Sequence, residues 1–283
     1  MNWIHNKNVL ITGASSGIGK EIAKLLITKY NCHVLGVNRS EDKLIAFKEE
    51  LGEYSNNFDY YPMDASKLDN WQQLYQHLLD NGKAIDILIN NAGTMHPFMR
   101  FDKIDIEQIH KVMDINFYSA VYSTKVFLPM LLEREHGSII NISSASALCN
   151  IPGVSVYSAS KSALRAFSEI VSYEYKKKIY VSTIMPGFTK TNLFYSKDNS
   201  RDIVTSKDKN LIDKFCMRVD KMAKKIVGKI KRKRRRAVLG VDSKLVNFLH
   251  KLMPQSTTKM VGGVFKMTKL STFEDIFDNK EKK

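Results

Sequence analysis

The chain has 283 residues, 43% hydrophobic and 26% charged, and a net charge of +15. That length and apolar content suit one large α/β domain and exclude general disorder. No apolar run is long enough to cross a bilayer, and residues 1–8 pass straight into an apolar strand without a signal-peptide pattern, so a soluble, cytoplasmic protein is expected.

The charge is uneven. Residues 1–170 carry 16 basic and 18 acidic side chains, residues 171–283 carry 28 and 11. The whole positive excess therefore lies in the last part of the chain. Cys32, Cys149 and Cys216 are odd in number and show no C-x-x-C or Cys/His spacing. A disulfide framework or a zinc site is not expected from them.

In chain order, residues 9–11 form a short apolar strand that ends at Thr12-Gly13. Ile18, Ile22, Leu25 and Leu26 then recur at helical spacing. Strands follow at 33–37, 58–61, 85–89, 138–142 and 179–185. Helices fall between them at 43–51, 68–79, 105–132 and 157–175. Strand and helix alternate throughout, which predicts a Rossmann-type, doubly wound parallel sheet with helices on both faces. No linker or repeat divides the chain, so a single domain is expected: a core over 7–192, a substrate lid over 193–225, and a basic extension over 226–283.

Residues 12–19, Thr-Gly-Ala-Ser-Ser-Gly-Ile-Gly, join the first strand to the first helix. Gly13 suits a tight turn, Gly17 lets a pyrophosphate approach the backbone, and Gly19 lets the helix pack close to the sheet. The helix start points free N–H groups at the phosphates. Gly13, Ser15, Ser16, Gly17, Ile18 and Gly19 are thus expected to touch a dinucleotide. At the end of the second strand the acid typical of NAD enzymes is replaced by Asn38-Arg39-Ser40. Arg39 and Ser40 could bind a 2′-phosphate, favouring NADP(H) over NAD(H). Otherwise Arg39 is a solvated turn residue.

Tyr157 and Lys161 are four residues apart, on one face if the segment is helical. A neighbouring ammonium lowers a phenol's pKa and makes it a usable general acid or base. In isolation such a pair is commonplace. Here Ser144 ends the fifth strand, at the sheet edge where ligands of α/β proteins bind, and could hold a substrate oxygen beside Tyr157. Asn90-Asn91-Ala92-Gly93 and Met185-Pro186-Gly187 end two further strands at that edge.

Together these motifs resemble the short-chain dehydrogenase/reductase family over residues 7–192. The resemblance implies an oxidoreductase that interconverts a carbonyl and an alcohol on a small molecule. It implies that Asp64 contacts the adenine, that Asn90 helps hold the adenosine part, and that Ala92 and Gly93 touch the cofactor. Lys161 would bind the nicotinamide ribose, and Asn116 would hold a water that relays protons to it. Thr191 and the backbone near Thr189 would meet the carboxamide, and Pro186 and Gly187 are also expected to touch the cofactor. The alternative for Asn116 is a helix-kink residue whose polar side chain needs some partner. A homodimer or homotetramer built on helices 105–132 and 157–175 is also implied. The other functional class is a non-catalytic NADP(H)-binding regulator or scaffold, against which Ser144, Tyr157 and Lys161 speak.

The substrate itself is not written in these motifs. Phe98, Phe101, Leu148, Ile151, Leu193, Phe194 and Tyr195 suggest an apolar or lipid-like ketone, unless they merely pack on one another. Beyond Thr191 the chain leaves the family pattern. Residues 229–236 contain seven cations, and 237–240 suit a seventh strand. The cations then lie at its amino end, away from the cofactor edge. They read as a solvated turn, as a contact to anionic lipid through 229–253, or, last, as a nucleic-acid site, for which no reading motif is present. Leu245, Leu249, Leu252 and Met253 form a stripe that suits a core-packing face first and a lipid surface second.

Overall fold

The computed structural model describes residues 3–191, 193, 197–198, 201–205 and 207–277. Strands β1 (Asn8–Thr12), β2 (His33–Asn38), β3 (Phe58–Pro62), β4 (Ile87–Asn90), β5 (Ser138–Ile142), β6 (Tyr180–Pro186) and β7 (Arg236–Leu239) form one sheet. Its order is β3-β2-β1-β4-β5-β6-β7, and every pairing is parallel. The sequence-predicted doubly wound, Rossmann-type fold is therefore what forms. The order reverses between β1 and β4, the switch point where a ligand crevice opens above the carboxyl ends.

Helix α1 (Gly17–Tyr30) buries Ile22, Ala23, Leu26 and Ile27 on the sheet and stops at Asn31, whose left-handed backbone (φ 50°) donates back to the Ile27 and Leu26 carbonyls. Helix α2 (Glu41–Glu50) adds Leu44 and Phe47 to that layer. On the other face α3 (Leu68–Asp80), α5 (Ser119–Leu132) and α6 (Ser155–Glu174) bury Trp71, Leu74, Phe127, Leu131 and Val171. β4, β5 and β6 are buried along their whole length, as central strands of a two-sided sheet must be.

The long helix read over 105–132 is broken in its turn type. Helix α4 (Ile106–Met113) passes through a π-turn at Asp114–Tyr118 before α5 begins. Asn116 sits in that turn, as π-bulges at functional sites often do.

Residues 219–239, which the sequence reading divides between lid and extension, complete the layers. After the short α7 (Lys209–Phe215), helix α8 (Val219–Lys231) buries Met222, Ala223, Ile226, Val227 and Ile230 in the same cluster as α1, and β7 joins the sheet edge. The basic run lies at the amino edge of β7, as its sequence position requires. Helix α9 (Val241–Leu252) starts from the opposite edge, and α10 (Pro254–Thr268) follows it. The region 229–253 is thus two surfaces rather than one. The stripe on α9 does not pack into a core: Leu245, Leu252 and Met253 are exposed and Leu249 is only half-buried.

Candidate active site

The carboxyl ends of β1, β2, β4, β5 and β6 open into one crevice of about 440 Å³. Its floor is the turn after β1. Gly13 (φ 68°) and Gly17 (φ 55°) both occupy the left-handed region that disfavours side chains, and a Cβ on Gly17 would meet the Thr191 side chain at 3.6 Å. Gly13, Ser16, Gly17 and Ile18 line the crevice. Ser15 and Gly19 stand behind them. Ser15 Oγ accepts from the amide of Asn38, coupling the turn to the end of β2. A Cβ on Gly19 would lie 2.3 Å from the Gly13 carbonyl oxygen, so this glycine is a packing requirement.

At the end of β2, Asn38, Arg39 and Ser40 line the crevice with Lys43. The carboxamide of Asn38 accepts from the Arg39 N–H at 2.9 Å. Sequence reasoning passed over Lys43, yet its signal was there: it follows Arg39 by four residues, at the start of a helix. Asp64 also lines the crevice, while its Oδ1 accepts from Ser66 N and Oγ at 3.0 and 2.8 Å and so shapes the turn after β3.

At β4 the two asparagines divide the work differently from expectation. Asn90 is buried below the crevice. It donates to Asn141 at 2.8 Å and accepts from Ser123 at 2.7 Å, and Asn141 donates onward to Ser168 at 2.7 Å. This network ties β4, β5, α5 and α6 together. The crevice wall is formed instead by Asn91, Ala92 and Gly93. The Asn91 side chain donates to the Thr12 carbonyl at 3.0 Å, and the Thr12 hydroxyl accepts from the N–H groups of Asn91 and Ala92, both at 2.9 Å. Pro186, Gly187, Thr189 and Thr191 close the far side.

Ser144, Tyr157 and Lys161 line the same crevice. Ser144 caps a short 3-10 turn, accepting from Ser146 N at 3.1 Å, and its hydroxyl acts on the Tyr157 phenol. Tyr157 and Lys161 are one turn apart on α6. Burial raises the Tyr157 phenol above its ordinary value, with the Ser144 hydroxyl working against it. The lowering expected from Lys161 does not appear. That ammonium is 4% exposed and donates to the Ile142 carbonyl at 3.1 Å. Burial lowers it to about 8.

Asn116 is close by but does not line the crevice. Its amide donates to the Thr94 carbonyl at 2.8 Å and to Ser160 Oγ at 2.9 Å, and its Oδ1 accepts from Thr94 N at 2.7 Å. Both amide hydrogens are spent on holding the loop after β4 against α6.

The far wall is apolar. Met95, Phe98, Ile151, Val154 and Leu193 line it. Phe101 is exposed and Leu148 is buried elsewhere, while Phe194 and Tyr195 lie outside the described residues. Behind the wall stand partners with no local signal. Phe98 packs edge-on to Phe273 at 5.1 Å, and Phe273 stacks on Phe265 at 4.2 Å. The segment carrying Phe273 is held by Asp208, whose Oδ2 accepts from Thr272 N (2.6 Å), Thr272 Oγ1 (2.7 Å), Thr205 Oγ1 (2.9 Å) and Ser271 Oγ (3.0 Å).

A model of the short chain dehydrogenase family matches residues 7–202. The chain belongs to the short chain dehydrogenase family. This short chain dehydrogenase is an oxidoreductase of alcohol and carbonyl groups built on a nucleotide-binding Rossmann fold. It is 32% identical to a fatty acyl-CoA reductase of Acinetobacter baylyi over 225 residues, covering 79% of this chain and 76% of that protein. It is 34% identical to 11-beta-hydroxysteroid dehydrogenase 1A of Arabidopsis thaliana over 197 residues, 69% of this chain and 55% of the plant protein, and so spans little more than half that relative's length. In fold it resembles an alcohol dehydrogenase from the archaeon Thermococcus sibiricus solved with 5-hydroxy-NADP, with a TM-score of 0.70 over 82% of this chain and 94% of that one at 24% identity.

Proposed function

We propose that this short chain dehydrogenase is an NADP(H)-dependent reductase of an apolar carbonyl compound, with Tyr157 as its proton donor. The observation that carries the reading is that Ser144, Tyr157 and Lys161 share one crevice with the glycine turn. Each of the three has a separate task.

Reduction places a hydride on the carbonyl carbon and a proton on its oxygen; a bound nicotinamide would be the source of the first. Tyr157 gives the second, and its raised pKa keeps the phenol protonated at neutral pH until the oxygen takes the proton. Ser144 orients the substrate oxygen beside it. Lys161 would offer its ammonium to a ribose. With both amide hydrogens of Asn116 engaged, a relay water at that residue would bond to its backbone carbonyl or to Oδ1.

The crevice fits a dinucleotide. Two positive-φ glycines leave the turn open to phosphate oxygens, and the α1 N–H groups face them. Gly13, Ser16, Gly17 and Ile18 would hold the pyrophosphate, with Ser15 and Gly19 fixing the turn. Asp64, Ala92 and Gly93 would flank the adenosine, with Asn90 supporting them from below. Pro186, Gly187, Thr189 and Thr191 would meet the carboxamide. Arg39, Ser40 and Lys43 bring two cations and a hydroxyl to the crevice, while the intervening Glu41 and Asp42 do not line it, which favours a 2′-phosphate.

The apolar wall, and relatives named for fatty acyl-CoA and hydroxysteroid chemistry, support a lipid-like substrate. A homodimer or homotetramer accords with exposed Tyr118, Ile170 and Tyr173 at the π-turn and on α6. Three free thiols suit the reducing cytoplasm, and among the described residues no helix is long and apolar enough to cross a membrane.

The test is NADPH oxidation, followed by ultraviolet absorbance, against fatty aldehydes and steroid ketones. Consumption of NADPH in preference to NADH is expected, and Arg39→Asp is expected to reverse the preference. Equal use of both cofactors before and after that substitution would overturn the NADP(H) assignment.

A further inference from the structure

Helices α9 and α10 carry apolar side chains on the outside. On α9 these are Val241, Leu245, Phe248 and Leu252, spaced i, i+4, i+7 and i+11, which is a single helix face. On α10 they are Met260, Val264 and Met267, at i, i+4 and i+7. Met253, where the helices join, is exposed as well. The outermost, Val241 and Met267, are 83% and 82% exposed. Two successive amphipathic helices that both turn their apolar stripes to solvent are unusual on a soluble surface.

Charge chooses the occupant. Residues 241–270 contain five lysines and one aspartate. Lys244 and Lys251 are exposed on α9 within a turn of its stripe, and Lys259 and Lys266 are exposed on α10. A second copy of this face would bring like charges together. An anionic lipid surface would satisfy both parts: acyl chains receive the apolar stripes, and lysines reach up to the headgroups. At 12 and 15 residues the helices are too short to span a bilayer and suit lying in its surface.

Position ties this face to the crevice. α10 carries Phe265, and the chain then runs directly into Phe273, both behind the apolar wall at Phe98. We propose that α9 and α10 dock this protein on anionic lipid, so that an apolar substrate reaches the crevice from the membrane without crossing water. Docking itself does not rest on the reductase reading; only the delivery of substrate does.

The experiment is flotation of the full chain with vesicles of phosphatidylcholine alone or with phosphatidylserine added. Flotation with the anionic vesicles, weakened by salt, is expected. Leu245→Gln/Phe248→Gln/Val264→Gln should reduce it by about tenfold or more while the circular dichroism spectrum is unchanged. Lys244→Glu/Lys251→Glu should reduce it too, and leaves the apolar residues in place. Lys231→Gln/Arg232→Gln/Arg234→Gln, at the opposite sheet edge, should retain most of it. The proposal is overturned if the wild-type chain ignores anionic vesicles, if the triple apolar variant floats as well as wild type, or if the face instead drives a concentration-dependent dimer that the same variant abolishes. NADPH consumption on a water-soluble carbonyl is read separately, so loss of docking and loss of catalysis are distinguishable.

Discussion

Lys161 Nζ donates to the carbonyl of Ile142 at 3.1 Å, which ties a buried ammonium on α6 to the last residue of β5. Burial holds its pKa at about 8, below the ordinary lysine value of 10.5. The folded state therefore binds fewer protons than the unfolded state between those two values, and stability should rise with pH across that window. Below about pH 8 the buried charge costs on the order of 3 kcal/mol, offset in part by its hydrogen bond. Lys161→Met should raise the denaturation midpoint at neutral pH and flatten its rise toward pH 10, while turnover is lost. Urea titrations of both proteins at the two pH values check this. A midpoint that falls at neutral pH would contradict it.

Tyr157 offers a cleaner functional separation. Phe keeps the ring that packs against the apolar wall and removes only the hydroxyl. Tyr157→Phe should lower kcat by roughly a hundred- to ten-thousandfold, with NADPH affinity and thermal stability held near wild type. Steady-state kinetics beside a cofactor titration reads both. Full turnover in the variant would remove Tyr157 from the proton-transfer role.

Gly19→Ala tests the cradle without touching a charged group. The new methyl would meet the Gly13 carbonyl oxygen at 2.3 Å and Asn91 Nδ2 at 2.4 Å. Neither can yield cheaply, because both hold the turn in place. A stability loss of roughly 1–3 kcal/mol and a marked loss of NADPH binding are expected, read by thermal melting and by cofactor fluorescence.

Asp208 is the clamp between the segment at 205–208 and the one at 271–273. Burial raises its carboxyl, but bonds from Thr272, Thr205 and Ser271 prevail and hold it below the ordinary 3.8. A depressed carboxyl stabilises above its unfolded pKa, so this contribution should persist at neutral pH and fade only below about pH 4. Asp208→Ala should speed hydrogen exchange at 203–208 and 270–273, easing local opening by about 2–4 kcal/mol. KM for apolar carbonyls should rise while kcat for a small, soluble one stays. Unchanged exchange at both segments would show that the clamp holds nothing.

Local pattern made the core legible. The glycine turn after β1, the Tyr157–Lys161 spacing and the uninterrupted apolar strands each depend on backbone preference or a two- to four-residue period, which neighbours in sequence carry by themselves. Lys43, one turn beyond Arg39, was readable on the same terms. Asn90 and Asn91 were harder: adjacent strand-end residues point to opposite sides, and only packing shows which meets the crevice.

Other features came from distant parts of the chain meeting. Nothing local to Asp208 announces Thr272, and Phe98 gives no sign of Phe273, since those contacts span 64 and 175 positions of sequence. The depressed Lys161 ammonium and the raised Tyr157 phenol likewise follow from the protein atoms packed around them. The stripe of α9 shows the division most plainly. Its periodicity is written in the sequence, but whether a repeating apolar face meets a core or faces outward depends on what else the fold brings to that side, and here the fold leaves it open to solvent.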